Sequence, residues 1–222
     1  MTRQTASPNQ QLRRALLICN GEQPSRSLAR RLARLADCII AADGGANGAR
    51  KMGIVPDLII GDLDSITTAS RRFFASTPVI RVARQDNTDM EKALDHILSK
   101  SLAQEVMIVG ATGHRLDHTL GNLVVLSHYA HRLLVIACGD GWHAFPVRTG
   151  ERIQASIGTT VSLIPISDCR GVTLRGLKYP LRNAPLRAGQ IAVSNVVKQS
   201  PFTVSIRQGK MLAVVLEEFV PR

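Results

Sequence analysis

PDLIIGDLDS, residues 56–65, decides the fold. Its first half is a continuous apolar run, the pattern of a parallel strand covered on both faces rather than one half-exposed to water. Its second half is a turn carrying two acids, Asp62 and Asp64, at alternate positions. Alternation in extended chain points both carboxylates the same way, and like charges held that close repel. The pair therefore reads as a place prepared for a cation. The same grammar extends in both directions. ALLICN (15–20), CIIAAD (38–43), VIRVA (79–83), EVMIVG (105–110) and RLLVIAC (132–138) are short Val/Ile/Leu runs. Helical patterns around 25–36, 45–52, 67–76, 88–101 and 116–131 separate them. Strands alternating with helices predict a mostly parallel sheet with helices on both faces, and right-handed crossovers bring all the carboxyl ends to one edge.

That edge is where open α/β sheets bind ligands. Here it collects Asp43, Asp62, Asp64, Asp86, Asp89 and Asp117, several beside glycine. One Asp-Gly loop is ordinary turn chemistry, but a succession of them in a basic chain points to a metal-phosphate site. Mg²⁺ takes oxygen ligands and is commonly held by one or two carboxylates plus substrate phosphates. RQDNTDMEKAL (84–94) adds a further acidic cluster, with Thr88 and Glu91 spaced as a capping box and Asp89 in the first helical turn. DGGAN (43–47) brings backbone close to a ligand without being a Walker loop. GATGHRLDHTLGN (110–122) is a second glycine-rich turn opening a helix, where amides face phosphate oxygens and Arg115 can neutralise transferring charge. His114 and His118 stand four apart with no third ligand at a zinc spacing, so zinc is not expected.

After Gly139 the period changes to short alternating runs broken by Gly and Pro. This predicts a smaller antiparallel β-sandwich or barrel domain. The boundary is expected near 139–147, giving an α/β nucleotide- and metal-binding domain over 1–140 and a β-rich domain over 141–222. The formal charge of +11 comes mainly from arginines on helical stretches such as SRSLARRLARLADC, and aromatics make up only 4%. A solvated basic face explains this better than a stacking platform, so no nucleic-acid partner is expected. No run reaches the length of a membrane span. Cys19, Cys38, Cys138 and Cys169 have no CxxC spacing and read as reduced, packed thiols. A cytoplasmic location follows as the expectation.

Taken in order, DGGAN, PDLIIGDLDS, QDNTDMEKAL, GATGHRLDHTLGN, GLKYPL (176–181) and SN (194–195) resemble the thiamine pyrophosphokinase family over most of the chain. The resemblance implies pyrophosphoryl transfer from ATP to the hydroxyl of thiamine, giving thiamine diphosphate and AMP. It implies a homodimer with active sites between subunits, and a C-terminal domain that holds thiamine and makes the dimer. It assigns Mg²⁺ to Asp62, Asp64 and Asp89. Asp43, Asn47, Gln85, Thr88, Arg115 and Asp117 are placed around nucleotide and substrate, with Asp117 toward the aminopyrimidine. Ser194 and Asn195 fall on the thiamine side. The chain departs from many bacterial relatives in having Val196 after SN, and from animal relatives in having Tyr179 in GLKYPL. Three rivals are weaker. A pterin pyrophosphokinase does not account for GLKYPL and SN, a non-catalytic nucleotide binder needs no third acid, and a sugar-nucleotide transferase explains neither QDNTD nor the second domain.

Overall fold

The computed structural model describes residues 12–83, 86–113, 115–190 and 192–220. Its first half follows the expected alternation. Strands β1 (Arg14–Ile18), β2 (Cys38–Ala42), β3 (Leu58–Gly61), β4 (Val79–Arg81), β5 (Glu105–Val109) and β6 (Leu134–Gly139) are separated by five helices. These are α1 (Arg26–Leu35), α2 (Gly45–Met52), α3 (Thr68–Phe73), α4 (Asp89–Ser99) and α5 (Leu116–Tyr129). The strands pair in parallel in the order β6-β5-β1-β2-β3-β4.

The period of two within each strand builds two cores. Ala15 and Leu17 of β1 face a cluster with Met90, Ala93, Leu94 and Ile97 of α4 and Leu126 and Tyr129 of α5. Leu16 and Ile18 face the other way, onto Leu28 and Leu32 of α1 and Ala46, Ala49 and Met52 of α2. Each fully buried Leu or Ile in these layers contributes roughly 1.5–3 kcal/mol relative to exposure.

The second half holds β7 (Trp142–Pro146), β8 (Glu151–Ile153), β9 (Thr160–Pro165), β10 (Cys169–Arg175), β11 (Leu181–Leu186), β12 (Ala192–Val196), β13 (Phe202–Ser205) and β14 (Met211–Val215). Four of them extend the first sheet instead of leaving it. β7 turns back antiparallel on β6, and β14, β9 and β12 follow, making one ten-stranded mixed sheet. The other four form a separate antiparallel sheet, β11-β10-β13-β8. The two stack face to face: Phe145, Val161, Leu163 and Ala213 of the large sheet meet Ile153, Val172, Leu174, Phe202 and Val204 of the small one. Alternate residues of both layers point inward, which is why this region reads with period two. All four cysteines are unpaired, and no helix among the described residues is long and apolar enough to cross a membrane.

Candidate active site

The carboxyl ends of β1, β2, β3 and β5 open onto a cleft of about 1030 Å³, whose walls include Gly21, Asp62, Thr88, Asp89, Lys92, Gly110, Gly113 and Arg115. The DGGAN segment supports its acidic rim, through Ser65 and the GDLDS loop. Asp43 ends β2 in the left-handed region, at φ 41°, and is 1% exposed. Burial pushes its carboxyl pKa up, opposed by a hydrogen bond from the Ser65 N–H. The backbone allows this because residue 61 is glycine: a Cβ there would lie 2.6 Å from the Asp43 Cβ. Gly61 therefore lets β2 and β3 end side by side with their acids converging.

The GDLDS loop is held from below by that same segment. The Ser65 N–H donates to Asp43 Oδ2 at 3.0 Å. Asn47 donates through Nδ2 to the Ser65 carbonyl at 2.9 Å, and its Oδ1 accepts from both the N–H and the hydroxyl of Thr67, at 3.0 and 2.9 Å. Arg71 donates to the Leu63 carbonyl. Within the loop, the Asp64 N–H donates to Asp62 Oδ1 at 3.3 Å and the Ser65 hydroxyl to Asp64 Oδ1 at 2.8 Å. The result is a group of three carboxylates, Asp43, Asp62 and Asp64, each offering an oxygen within 4.8 Å of the others. Asp43 Oδ1 is buried and has no hydrogen-bond partner among the described residues. A buried carboxylate oxygen without a donor costs free energy, and an all-oxygen set of this size suits a hard divalent cation. The residues present fit one.

Asp89 approaches from α4. Thr88 caps that helix, its hydroxyl accepting from the Glu91 N–H while the Glu91 carboxylate accepts from the Thr88 N–H. This is the expected capping box. It fixes the first turn so that Asp89 Oδ1 accepts from Lys92 Nζ at 2.8 Å, and Asp62 Oδ2 accepts from the same ammonium at 3.1 Å. Burial disfavours the charge on Lys92, yet the hydrogen bonds to Asp89 and Asp62 outweigh it and hold the lysine pKa above its ordinary value. The sequence reading joined Asp89 to Asp62 and Asp64. In the structure a lysine stands between Asp89 and Asp62, and Asp43 completes the group of three.

The opposite wall is the glycine-rich turn after β5. Gly113 N–H donates to the Thr119 hydroxyl at 3.0 Å, and the buried Asn122 amide donates to the Ala111 carbonyl at 2.8 Å, folding the turn onto α5. Arg115 and Asp117 form a two-pronged pair at 2.9 and 2.6 Å, well exposed at the mouth, and that contact holds the Asp117 carboxyl far below the usual range. Cys19 lines the cleft beside Asp89, and burial pushes its thiol pKa up to about 12. Gln85 and His114 lie outside the described residues.

Ser194 and Asn195 are elsewhere. Both lie on β12, the far edge of the ten-stranded sheet, eight strands across from β3. At ~4.8 Å per strand that is roughly 38 Å of sheet. Asn195 is buried and its amide ties down the GLKYPL turn: Oδ1 accepts from the Tyr179 and Val196 N–H groups at 2.9 Å, and Nδ2 donates to the Tyr179 carbonyl at 2.8 Å. Sequence reasoning missed Lys92 and Gln23, whose amide donates to the Cys19 and Gly21 carbonyls and whose Oε1 is buried without a partner among the described residues. The one signal for Lys92 is its spacing, three residues after Asp89.

A parallel sheet with acids and glycine turns converging at its carboxyl edge defines an α/β enzyme of the ligand-at-the-strand-ends class. Comparison with known proteins makes the class particular. Residues 29–137 match the family described as thiamin pyrophosphokinase, catalytic domain, and residues 147–211 match thiamin pyrophosphokinase, vitamin B1 binding domain. The chain is 33% identical over 183 residues to thiamine pyrophosphokinase of Bacillus subtilis, covering 79% of this chain and 85% of the relative. It is 34% identical over 194 residues to thiamine pyrophosphokinase 1 of Arabidopsis thaliana, covering 74% and 73%. The crystal structure of the Bacillus subtilis protein superposes with a TM-score of 0.80 at 27% identity, over 93% of this chain and 100% of that one. The chain belongs to the thiamine pyrophosphokinase family and is an enzyme of that class.

Proposed function

We propose that this enzyme forms thiamine diphosphate by transferring the pyrophosphoryl group of ATP to thiamine, with Mg²⁺, in the cytoplasm. The observation that carries the reading is the convergence of Asp43, Asp62 and Asp64 within 4.8 Å, in a chain whose charge is otherwise strongly positive. In the transfer, the thiamine hydroxyl oxygen bonds to the β-phosphorus, the bond from that phosphorus to the α-phosphate bridging oxygen breaks, and AMP leaves. The hydroxyl proton is lost to a carboxylate or to water. Chemistry of this kind asks the protein for positioning and charge neutralisation.

Asp62, Asp64 and Asp89, joined by Asp43, would hold the ion; bound there, it neutralises phosphate charge and polarises the transferred group. The chain's own contribution is a loop made stiff by Asn47 and Ser65, so that the acids need no reordering when the nucleotide arrives. Thr88 and Gln85 sit in the nucleotide role on this reading. Arg115 takes the phosphate side and Asp117 the thiamine aminopyrimidine. The test is product analysis with purified protein. AMP must appear in step with thiamine diphosphate, only with thiamine and a divalent ion present; ADP as the nucleotide product overturns the reading.

We also infer a homodimer whose sites lie between subunits. Two observations support it. The thiamine-side residues Ser194 and Asn195 are a sheet-width from the acids of their own chain. On α5, Leu116, Leu120 and Val124 recur every fourth residue and stay exposed, as a face that a second copy covers. Mixing Asp64→Asn protein with Ser194→Arg protein, each inactive alone, is expected to restore up to about a quarter of wild-type turnover through heterodimers. No recovery after exchange, or a monomer by light scattering with full activity, refutes it.

A further inference from the structure

Lys92 is a core-facing lysine: its side chain is 3% exposed and its neighbours on α4, Met90, Ala93 and Leu94, are all core. A residue needed only to fill that space would be aliphatic, since a buried charge is retained where it is paired. Its ammonium joins two segments far apart in sequence, the loop after β3 through Asp62 and the first turn of α4 through Asp89. Asp43 and Asp64 gather against Asp62, so like charges collect at the strand ends, and something must offset their repulsion whenever no divalent ion is there.

We propose that Lys92 is a resident counter-ion: a positioning residue that holds Asp62 and Asp89 in register before a divalent cation arrives, and then competes with that cation for Asp62. The inference rests on the metal reading above. Lys92 supplies one positive charge at fixed distance and cannot leave, so it keeps the acids converged in the empty enzyme. Because its ammonium already takes Asp62 Oδ2, it also lowers the charge that a divalent ion meets. Affinity is thereby set lower than the acids alone would give.

The test uses the full chain without nucleotide. Mn²⁺ binding is followed by electron paramagnetic resonance, and melting is measured with and without saturating Mn²⁺, for wild type, Lys92→Met and Lys92→Arg. Lys92→Met is expected to melt below wild type in chelator, to recover more of its melting temperature on adding Mn²⁺, and to bind Mn²⁺ at least about tenfold more tightly. Lys92→Arg, which keeps the charge, stays near wild type in affinity. A merely structural lysine gives a different pattern: melting lowered by the same amount with and without Mn²⁺, and unchanged affinity, which overturns the inference alone. Absence of any Mn²⁺ response in wild type overturns the metal reading and this inference together. Should Lys92→Met not fold, Lys92→Gln must shift affinity in the same direction, and failure to do so has the same force.

Discussion

Replacing Asp43 by Asn is expected to make the metal-free enzyme more stable and the working enzyme nearly inactive. The side chain is 1% exposed and its Oδ2 accepts from the Ser65 N–H. An amide oxygen can take over that hydrogen bond, and Asn tolerates the left-handed backbone at φ 41°. What changes is Oδ1, which is buried without a partner among the described residues and carries charge toward Asp62 and Asp64. Two ionised oxygens at the 4.8 Å limit of that group repel by about 3.5 kcal/mol at an effective dielectric of about 20. Lys92 and the water around exposed Asp64 screen most of this, leaving about 1–2 kcal/mol. For a chain of this size that corresponds to a rise of roughly 3–6 °C in melting temperature in chelator.

The sign with pH follows from burial. Because the Asp43 pKa is raised in the fold, the carboxyl supports folding fully below its ordinary value of 3.8, and that support is lost as pH rises through the folded pKa. The advantage of the Asp43→Asn variant over wild type is therefore present above the folded pKa and fades as pH falls through it. Turnover should fall at least roughly a hundredfold, and Mg²⁺ should no longer raise the melting temperature. Scanning calorimetry in chelator and in Mg²⁺, with AMP release as the activity assay, reads all of this. A lower melting point in chelator, or unimpaired turnover, refutes the reasoning.

Asp64→Asn removes an exposed, water-screened charge from the same loop, so melting in chelator should rise by less than in Asp43→Asn, while AMP release drops about a hundredfold or more. Asn195→Ala removes three hydrogen bonds from a buried amide and should cost about 2–4 kcal/mol in denaturant titration, with Mn²⁺ affinity unchanged. His143 is buried against the Glu217 carbonyl and its pKa is lowered by burial. Its neutral form supports the fold above 6.5, and that support is lost as pH falls through the folded pKa; His143→Gln should remove this part of the melting-temperature decline as pH falls below 6.5. Glu217, lowered with respect to 4.5, acts only at still lower pH and stays in the variant.

The helices were legible because each buries every third-to-fourth side chain, and the parallel strands because helices cover both faces and leave a short continuous apolar run. The acids were legible because they stand where strands stop and no packing reason calls for a carboxylate. Lys92 was not, since a lysine on an amphipathic helix faces water by default and only the tertiary approach of β3 puts Asp62 above it. The resemblance places Asn47 around nucleotide and substrate; in the structure its Nδ2 donates to the Ser65 carbonyl and its Oδ1 accepts from Thr67, which clamps the GDLDS loop. Short polar side chains in turns bond backbone as readily as ligand, and sequence does not separate the two. The continuation of the large sheet through β7, β14, β9 and β12 was also hidden. A period of two says which face of a strand is buried, not which neighbour it pairs with.

That shared sheet bears on how the enzyme moves. The last parallel strand and the first antiparallel one are laddered together right up to the turn, with Ala137 opposite Ala144, Cys138 opposite His143 and Gly139 opposite Trp142. Bending the halves against each other would shear those bonds, so there is no hinge at the place where the fold changes character. Opening and closing around a ligand falls instead to the strand-end loops, and amide exchange should find its fast sites there while the β6–β7 junction exchanges among the slowest.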